Sequence, residues 1–275
     1  MPAISTNTAA NAAVRYLNIN SQQETSALSK LSSGSRITSA SDDAAGLAIS
    51  TRISSDVTTL QQAATNASQA TSILQTADGG ASNISDILAR MKSLASESAS
   101  GTVTDSSRLY INSEFSQLTS EIDSIASGTR YSGSSLLDGT SAFSSGVSVL
   151  VGSSATDTIT ITLSSLTSTS LLGATALDVS TQAGANTALT TLDAAIDKVS
   201  AARADIGAQE SRFNFSADSI STQTQNLQSA NSAIKDVDIA SEQATLSSAE
   251  VKTQAAVSAE TAANQMPQYL LKLLG

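Results

Sequence analysis

The sequence predicts a mainly α protein of long helices, with a small β-hairpin near its middle. Three observations carry this expectation. Proline occurs only at Pro2 and Pro267, so almost the whole chain is free of helix breakers. Apolar residues recur three and four apart over long stretches, the spacing of a helical seam. Between two such regions the period drops to two, in "VSVLVG" (Val147, Val149, Val151) and "TITITL" (Ile159, Ile161, Leu163), as a half-buried strand pair requires.

The first helical run carries Val14, Leu17, Leu28 and Leu31, with polar Ser21 and Glu24 in the intervening slots, so its apolar stripe is thin. The stretch "LSSGSRITSASDDAAGLAIS" (31–50) interrupts it. Gly34 is the expected C-terminal stop, and Ser41 or Asp42 the expected N-cap of the next helix. From about Asp43 to Ala99 the pattern is continuously helical. Ala70, Ile73, Ala77, Gly80, Ile84, Ile87, Met91 and Leu94 form its seam, weakened locally by Gly79-Gly80. "ASGTVTDSS" reads as a loop. A further run with Ile111, Phe115, Leu118, Ile122 and Ile125 then ends near Gly128, giving an antiparallel helical pair. "GTRYSGSSLLDGTSAF" is turn-rich, the hairpin follows around "SSATD", and residues 164–187 are the least structured segment by this reading. Helical spacing returns with Leu189, Leu192, Ile196, Val199, Ile206, Phe213, Ala217, Ile220, Leu227 and Ile234. Asp236 and Asp238 read as helix-cap charges before a last run, Ile239 to Gln265, which Pro267 is expected to end before "QYLLKLLG".

Composition narrows the chemistry. Cys and His are both absent, which excludes disulfides, thiolate chemistry, Cys/His zinc sites and His-based triads; no catalytic, cofactor or metal residues are expected. The formal net charge is −10, and the 14 basic residues are scattered rather than clustered, so a nucleic-acid partner is not expected. No segment is apolar for long enough to insert in a membrane, and the N-terminus has no cleavable secretory pattern. Aromatics make up 3% of the chain and Trp is absent, so the core must be built from Ala, Leu, Ile and Val. Such side chains bury little area each and need long seams. One chain offers too few partners for seams of this length, which points to self-association.

Several stretches resemble one family. "LSSGSRITSASDDAAGLAIS", "GTRYSGSSLLDG", "AARADIGAQESRF", "DVDIASEQATLSSAEV" and the terminal "ANQMPQYLLKLLG" are similar, in order, to motifs of the bacterial flagellins. The resemblance spans nearly everything outside 164–187. It implies a long antiparallel helical bundle or coiled coil with paired N- and C-terminal helices and a small β-hairpin region. Residues 1–42 with 236–275 would be inner-tube helices. Residues 43–163 with 188–235 would be a rod-like domain containing the hairpin 147–163, and 164–187 a variable loop with no large outer domain. The implied function is polymerisation into the extracellular flagellar filament for swimming motility. Leu28, Leu31, Leu270, Leu271, Leu273 and Leu274 would be buried between copies, and Arg36, Asp42, Asp43 and Arg52 would make polar contacts that fix register. The implied partners are further copies of the chain, the type III export apparatus with an export chaperone, the filament cap and the hook–filament junction proteins. Arg90, Leu94 and Glu114 match a motif recognised by a host Toll-like receptor. Three positions depart from the family pattern: Lys252 and Glu260 stand where bulky apolar residues are usual, and Gly275 where a terminal Arg is frequent. A hook–filament junction protein and a secreted coiled-coil adhesin are the alternative readings.

Overall fold

The computed structural model describes residues 6–173 and 177–274, and the side chains of all of these but 270–274. Among the described residues the elements run α1 (Thr8–Ser33), α2 (Ala44–Ala99), α3 (Asp105–Gly128), β1 (Arg130–Tyr131), β2 (Ser134–Ser135), α4 (Ala142–Ser145), β3 (Val147–Leu150), β4 (Thr158–Ile161), α5 (Ser168–Leu172), α6 (Gln182–Lys235) and α7 (Ile239–Leu274). The chain divides into two compact units. One holds Met1–Val57 with Asn226–Gly275, the other Thr58–Gln225. Both boundaries fall inside helices, α2 and α6.

The 58–225 unit is the better filled. Along α2, Leu60, Ala63, Ala67, Ala70, Leu74, Ala77, Ala81, Ile84, Leu88, Met91, Ala95 and Ser98 are all buried, alternating three and four apart. The expected seam shares Ala70, Ala77, Ile84 and Met91 with this line, but its other members, Ile73, Gly80, Ile87 and Leu94, lie one residue to the side. Gly80 and Leu94 are buried there and Ile73 and Ile87 half-buried. The stripe is wide because ion pairs and packing bring α2 against both α3 and α6: Arg90–Glu114 at 2.6 Å joins it to α3, and Arg203–Asp78 at 2.8 Å to α6. Phe115 and Ile122 of α3 and Leu192, Val199, Ile206 and Phe213 of α6 complete the core. Burial, and then the charge of Asp78, hold the Glu210 carboxyl above its ordinary range.

The strands form two antiparallel hairpins. β3 and β4 pair Val147 with Ile161 and Val149 with Ile159, and the two isoleucines are buried while Thr158 and Thr160 face out. β1 and β2 are joined by Ser132-Gly133, both left-handed at φ 49° and 85°, as a two-residue hairpin turn demands. The 164–187 segment differs from expectation. Thr167 caps α5 through its side chain, and Leu166, Leu171, Leu172 and Val179 are buried. Asp123 accepts from Ser168 N at 2.8 Å, and Lys198 Nζ donates to the Ser170 and Leu171 carbonyls at 3.0 and 3.2 Å. Single leucines set among Ser and Thr produce no period, so sequence patterning does not reveal that each one is covered.

Arg108, at the start of α3, is buried, with its side chain 5% exposed. Its Nη2 donates to the Ser100 and Val103 carbonyls at 2.9 and 3.1 Å, closing the loop between α2 and α3.

The two adjacent glycines of α2 separate cleanly. Gly79 is exposed, and a Cβ there meets nothing within 4 Å; a Cβ at Gly80 would collide with the Thr129 side chain and lie 2.8 Å from Leu137 Cδ1. Thr129 cannot swing away freely, since its Oγ1 donates to the Ile125 carbonyl at 2.8 Å. Gly79→Ala is therefore expected to stabilise this unit by about 1 kcal/mol through helix propensity. Gly80→Ala is expected to destabilise it by about 1–2 kcal/mol, overpacking outweighing the same gain. Thermal unfolding followed by circular dichroism distinguishes them, and a rise in midpoint for both variants would contradict the packing described.

Candidate functional site

The unit holding the chain ends is built on α1 and α7, which run antiparallel. Thr253 Oγ1 donates to Glu24 Oε2 at 3.2 Å midway, Asn7 reaches Ala263 at one end, and Ser35 bridges Asp236 at the other. Asn7 caps α1, its Oδ1 accepting from Ala10 N at 3.1 Å, and Gly34 ends that helix at φ 68°, a left-handed stop that favours glycine. Asp238 caps α7, accepting from Ala240 N at 3.0 Å, as its reading as a cap charge implies.

The facing positions alternate three and four apart on both helices. On α1 they are Ala10, Ala13, Leu17, Asn20, Glu24, Ala27 and Leu31; on α7 they are Leu246, Ala249, Thr253, Ala256, Glu260 and Ala263. Only alanines and Leu246 among them are buried. Pro267 does not end α7, contrary to expectation: the helix runs to Leu274. A proline inside a helix deprives the carbonyl four residues earlier of its donor, and here Asn7 Nδ2 supplies one to that Ala263 carbonyl at 2.8 Å.

The segments after α1 and before α7 pinch together. Arg36 N donates to the Lys235 carbonyl at 2.6 Å, Val237 N to the Gly34 carbonyl at 3.1 Å, and Ser35 Oγ to Lys235 at 3.1 Å. Arg36 Nη2 donates to the Ile234 carbonyl at 2.8 Å, and Ser50 Oγ lies 2.7 Å from Asn231 Oδ1. The cap of α2 is Asp43, one residue beyond the expected Ser41 or Asp42; its Oδ1 accepts from Gly46 N at 2.8 Å. Asp42 instead closes the preceding turn. One of its oxygens accepts from Thr38 N, Thr38 Oγ1 and Ser39 N at 2.9–3.0 Å, and these bonds, the Thr38 hydroxyl first, hold its carboxyl below the ordinary 3.8.

The outward faces of the pair invert the usual distribution of side-chain size. Tyr16, Ile19, Ile239, Val251, Val257, Met266 and Tyr269 are exposed, as is Leu28 at 57%. Ala9, Ala13, Tyr16, Ala259, Ala262, Ala263 and Met266 line an open apolar groove of about 450 Å³. Of the residues expected between copies, Leu28 stands free on the surface, while Leu31 is half-buried in the seam. Arg36, Asp42 and Asp43 bind within their own chain. Arg52, its side chain 81% exposed, makes only a 3.5 Å contact to Asp56 one turn on. The side chains of Leu270, Leu271, Leu273 and Leu274 lie outside the described residues. Lys252 is exposed, whereas Glu260 is half-buried on the seam line. In the other unit, Arg90 and Glu114 pair at the surface and Leu94, 3% exposed, belongs to the core. The sequence reading did not single out Ser35, Asn231 or Asn7. The signal for the last was an Asn followed directly by a helix-forming run.

Residues 4–142 match the family model of the bacterial flagellin N-terminal helical region, and 189–274 that of the C-terminal helical region. The chain belongs to the bacterial flagellin family. It is 35% identical to the 30.7 kDa flagellar filament core protein of Treponema maltophilum, over 94% of this chain and 95% of that protein. It is also 35% identical to flagellin of Listeria monocytogenes, over 94% of each. Among solved structures, Bacillus cereus flagellin is 32% identical with a TM-score of 0.52, the match covering 61% of this chain and 94% of that one. A hook-associated protein from Vibrio parahaemolyticus, at 16% identity and a TM-score of 0.59, shares the fold over 71% of this chain and all of its own. This flagellin is a structural subunit of the flagellar filament, an extracellular polymer.

Asp42 gives the loop a defined acid sensitivity. Its pKa is depressed in the folded state, so its contribution is present above the unfolded value of about 3.8 and is lost as pH falls through the lower, folded value. Amide exchange in assembled protein should show Thr38 and Ser39 still protected at the ordinary carboxylate value of 3.8 and released only at more acid pH. In Asp42→Ala, the same amides should be unprotected at every pH.

Proposed function

We propose that this flagellin polymerises through the outward faces of α1 and α7, and that both helices acquire their order from neighbouring copies. The observation that carries the reading is the inversion of side-chain size: mostly alanine and polar residues between the two helices, with Leu17, Leu31 and Leu246 the exceptions, and Tyr16, Leu28, Val251, Val257 and Tyr269 outside. A large apolar side chain contributes about 1.5–3 kcal/mol when covered, a single methyl about 0.8. Most of the apolar surface of the pair therefore becomes useful only when a second copy covers it. A contact between unlike surfaces that does not close on itself builds an open helical polymer.

Alone, the two helices have too little between them to stay folded. The ends then leave the cell as uncommitted chain through the export apparatus, escorted by an export chaperone, and fold beneath the filament cap, with the first copies resting on the hook–filament junction proteins. Leu270, Leu271, Leu273 and Leu274 join the covered surface in this reading, and Arg52, exposed beside Asp56, is placed to meet a neighbour. A junction protein is the alternative that the shared fold with a hook-associated protein favours. Copy number separates the two, since a filament subunit is present along its whole length.

Receptor recognition, in turn, comes down to the exposed Arg90–Glu114 pair, because Leu94 offers little surface. An Arg90→Ala, Glu114→Ala variant is expected to lose at least tenfold in Toll-like receptor signalling at equal protein, about 1.4 kcal/mol of contact. Unchanged signalling would end that reading.

Polymerisation has its own test. Deleting 266–275 should leave the 58–225 unit with its unfolding midpoint unchanged and abolish salt-induced filaments under negative-stain electron microscopy. Normal filaments from the truncated chain would refute the proposal.

A further inference from the structure

We propose that Asn7 and Pro267 form a latch: α7 continues through its proline into its last turns only when α1 has docked beside it. The inference rests on the polymerisation reading, because the state in which both helices are ordered is taken to be the assembled one.

The chemistry follows from one missing atom. Pro267 has no N–H, and its ring crowds the carbonyl of Ala263, four residues earlier. The residue before a proline also disfavours the helical region, so Met266 resists the conformation that α7 needs. An unpaired C-terminal segment should therefore stop being helical before Pro267. In the structure it does not stop, and Ala263, which is buried, has a donor from another part of the chain: Asn7 Nδ2 at 2.8 Å. The same amide caps α1, Oδ1 accepting from Ala10 N at 3.1 Å.

One planar side chain thus satisfies an orphaned donor of one helix and an orphaned acceptor of the other, 256 residues apart. Asparagine suits this better than the other cap residues. Aspartate keeps the acceptor but turns an oxygen toward the Ala263 carbonyl, and serine caps but is too short to reach across. The consequence is that the order of the two chain ends is coupled. Without α1, the segment "QYLLKLL" (268–274) stays uncommitted, which keeps its apolar residues from folding before a neighbour is available.

The test is a double-mutant cycle in the full chain. Asn7→Asp removes the donor and keeps the cap; Pro267→Ala restores the backbone N–H to Ala263, so the donor from Asn7 is no longer needed. Asn7→Asp alone should raise the critical concentration for seeded assembly about tenfold. It should also release the amides of 268–274 to exchange in whatever filaments form. In the Pro267→Ala background the same change should cost no more than about twofold, with those amides protected. Asn7→Ser should show the same pattern without an added charge. An equal loss in both backgrounds, or no loss from Asn7→Asp in the parent chain, overturns the latch while leaving the filament reading intact. Failure of the unaltered chain to assemble overturns both.

Discussion

The organisation of this flagellin depends on how little the two terminal helices can bury against each other. Their facing positions repeat with the spacing of a coiled coil, yet alanine, asparagine, glutamate and threonine fill most of them. Small side chains permit close approach but remove little surface from water. A pair built this way holds a geometry without supplying the free energy that would keep it folded in isolation. Leu17, Leu31 and Leu246 are the larger apolar side chains among the facing positions, while Tyr16, Leu28, Val251, Val257 and Tyr269 sit on the outside.

The 58–225 unit shows the same three-and-four spacing put to the opposite use. Leu74, Leu88, Met91, Phe115, Ile122 and Phe213 point inward and are fully covered, and α2 is flanked by α3 and α6, so its buried stripe is broad. Even the segment richest in Ser and Thr contributes leucines to this core and is fastened by Asp123 and Lys198. Periodicity therefore locates both seams, and side-chain size decides which of them is self-sufficient.

The long helices, the hairpin at 147–161 and the stop at Gly34 were legible because each has a local cause: a period, an alternation, a residue free to adopt positive φ. What was not legible depended on partners distant in sequence. Pro267 reads as a terminator until Asn7 is seen to supply the missing donor. The caps shifted from Asp42 to Asp43 because adjacent acids are indistinguishable in sequence, while in the structure one closes a turn and the other begins a helix. Arg36, read as a contact to neighbours, is engaged by the Ile234 carbonyl from the far end of the chain. Leu28 could be read as available and is, whereas Leu31, three residues on, turns into the seam.

An alanine seam raises a problem that leucines would have solved: smooth surfaces of small residues can slide past one another by a turn with little penalty. The polar bonds between the chain ends answer it. They occur at three heights along the pair, Asn7 with Ala263, Glu24 with Thr253, and Gly34 with Val237 just beyond the two helices. Each is lost if either helix slips, so register is specified by directional contacts even though stability is left low. Partly buried polar groups in a helical seam characteristically exchange strength for uniqueness. For a subunit repeated along a filament that exchange is favourable, since an error of register in one copy would misplace the surface offered to the next.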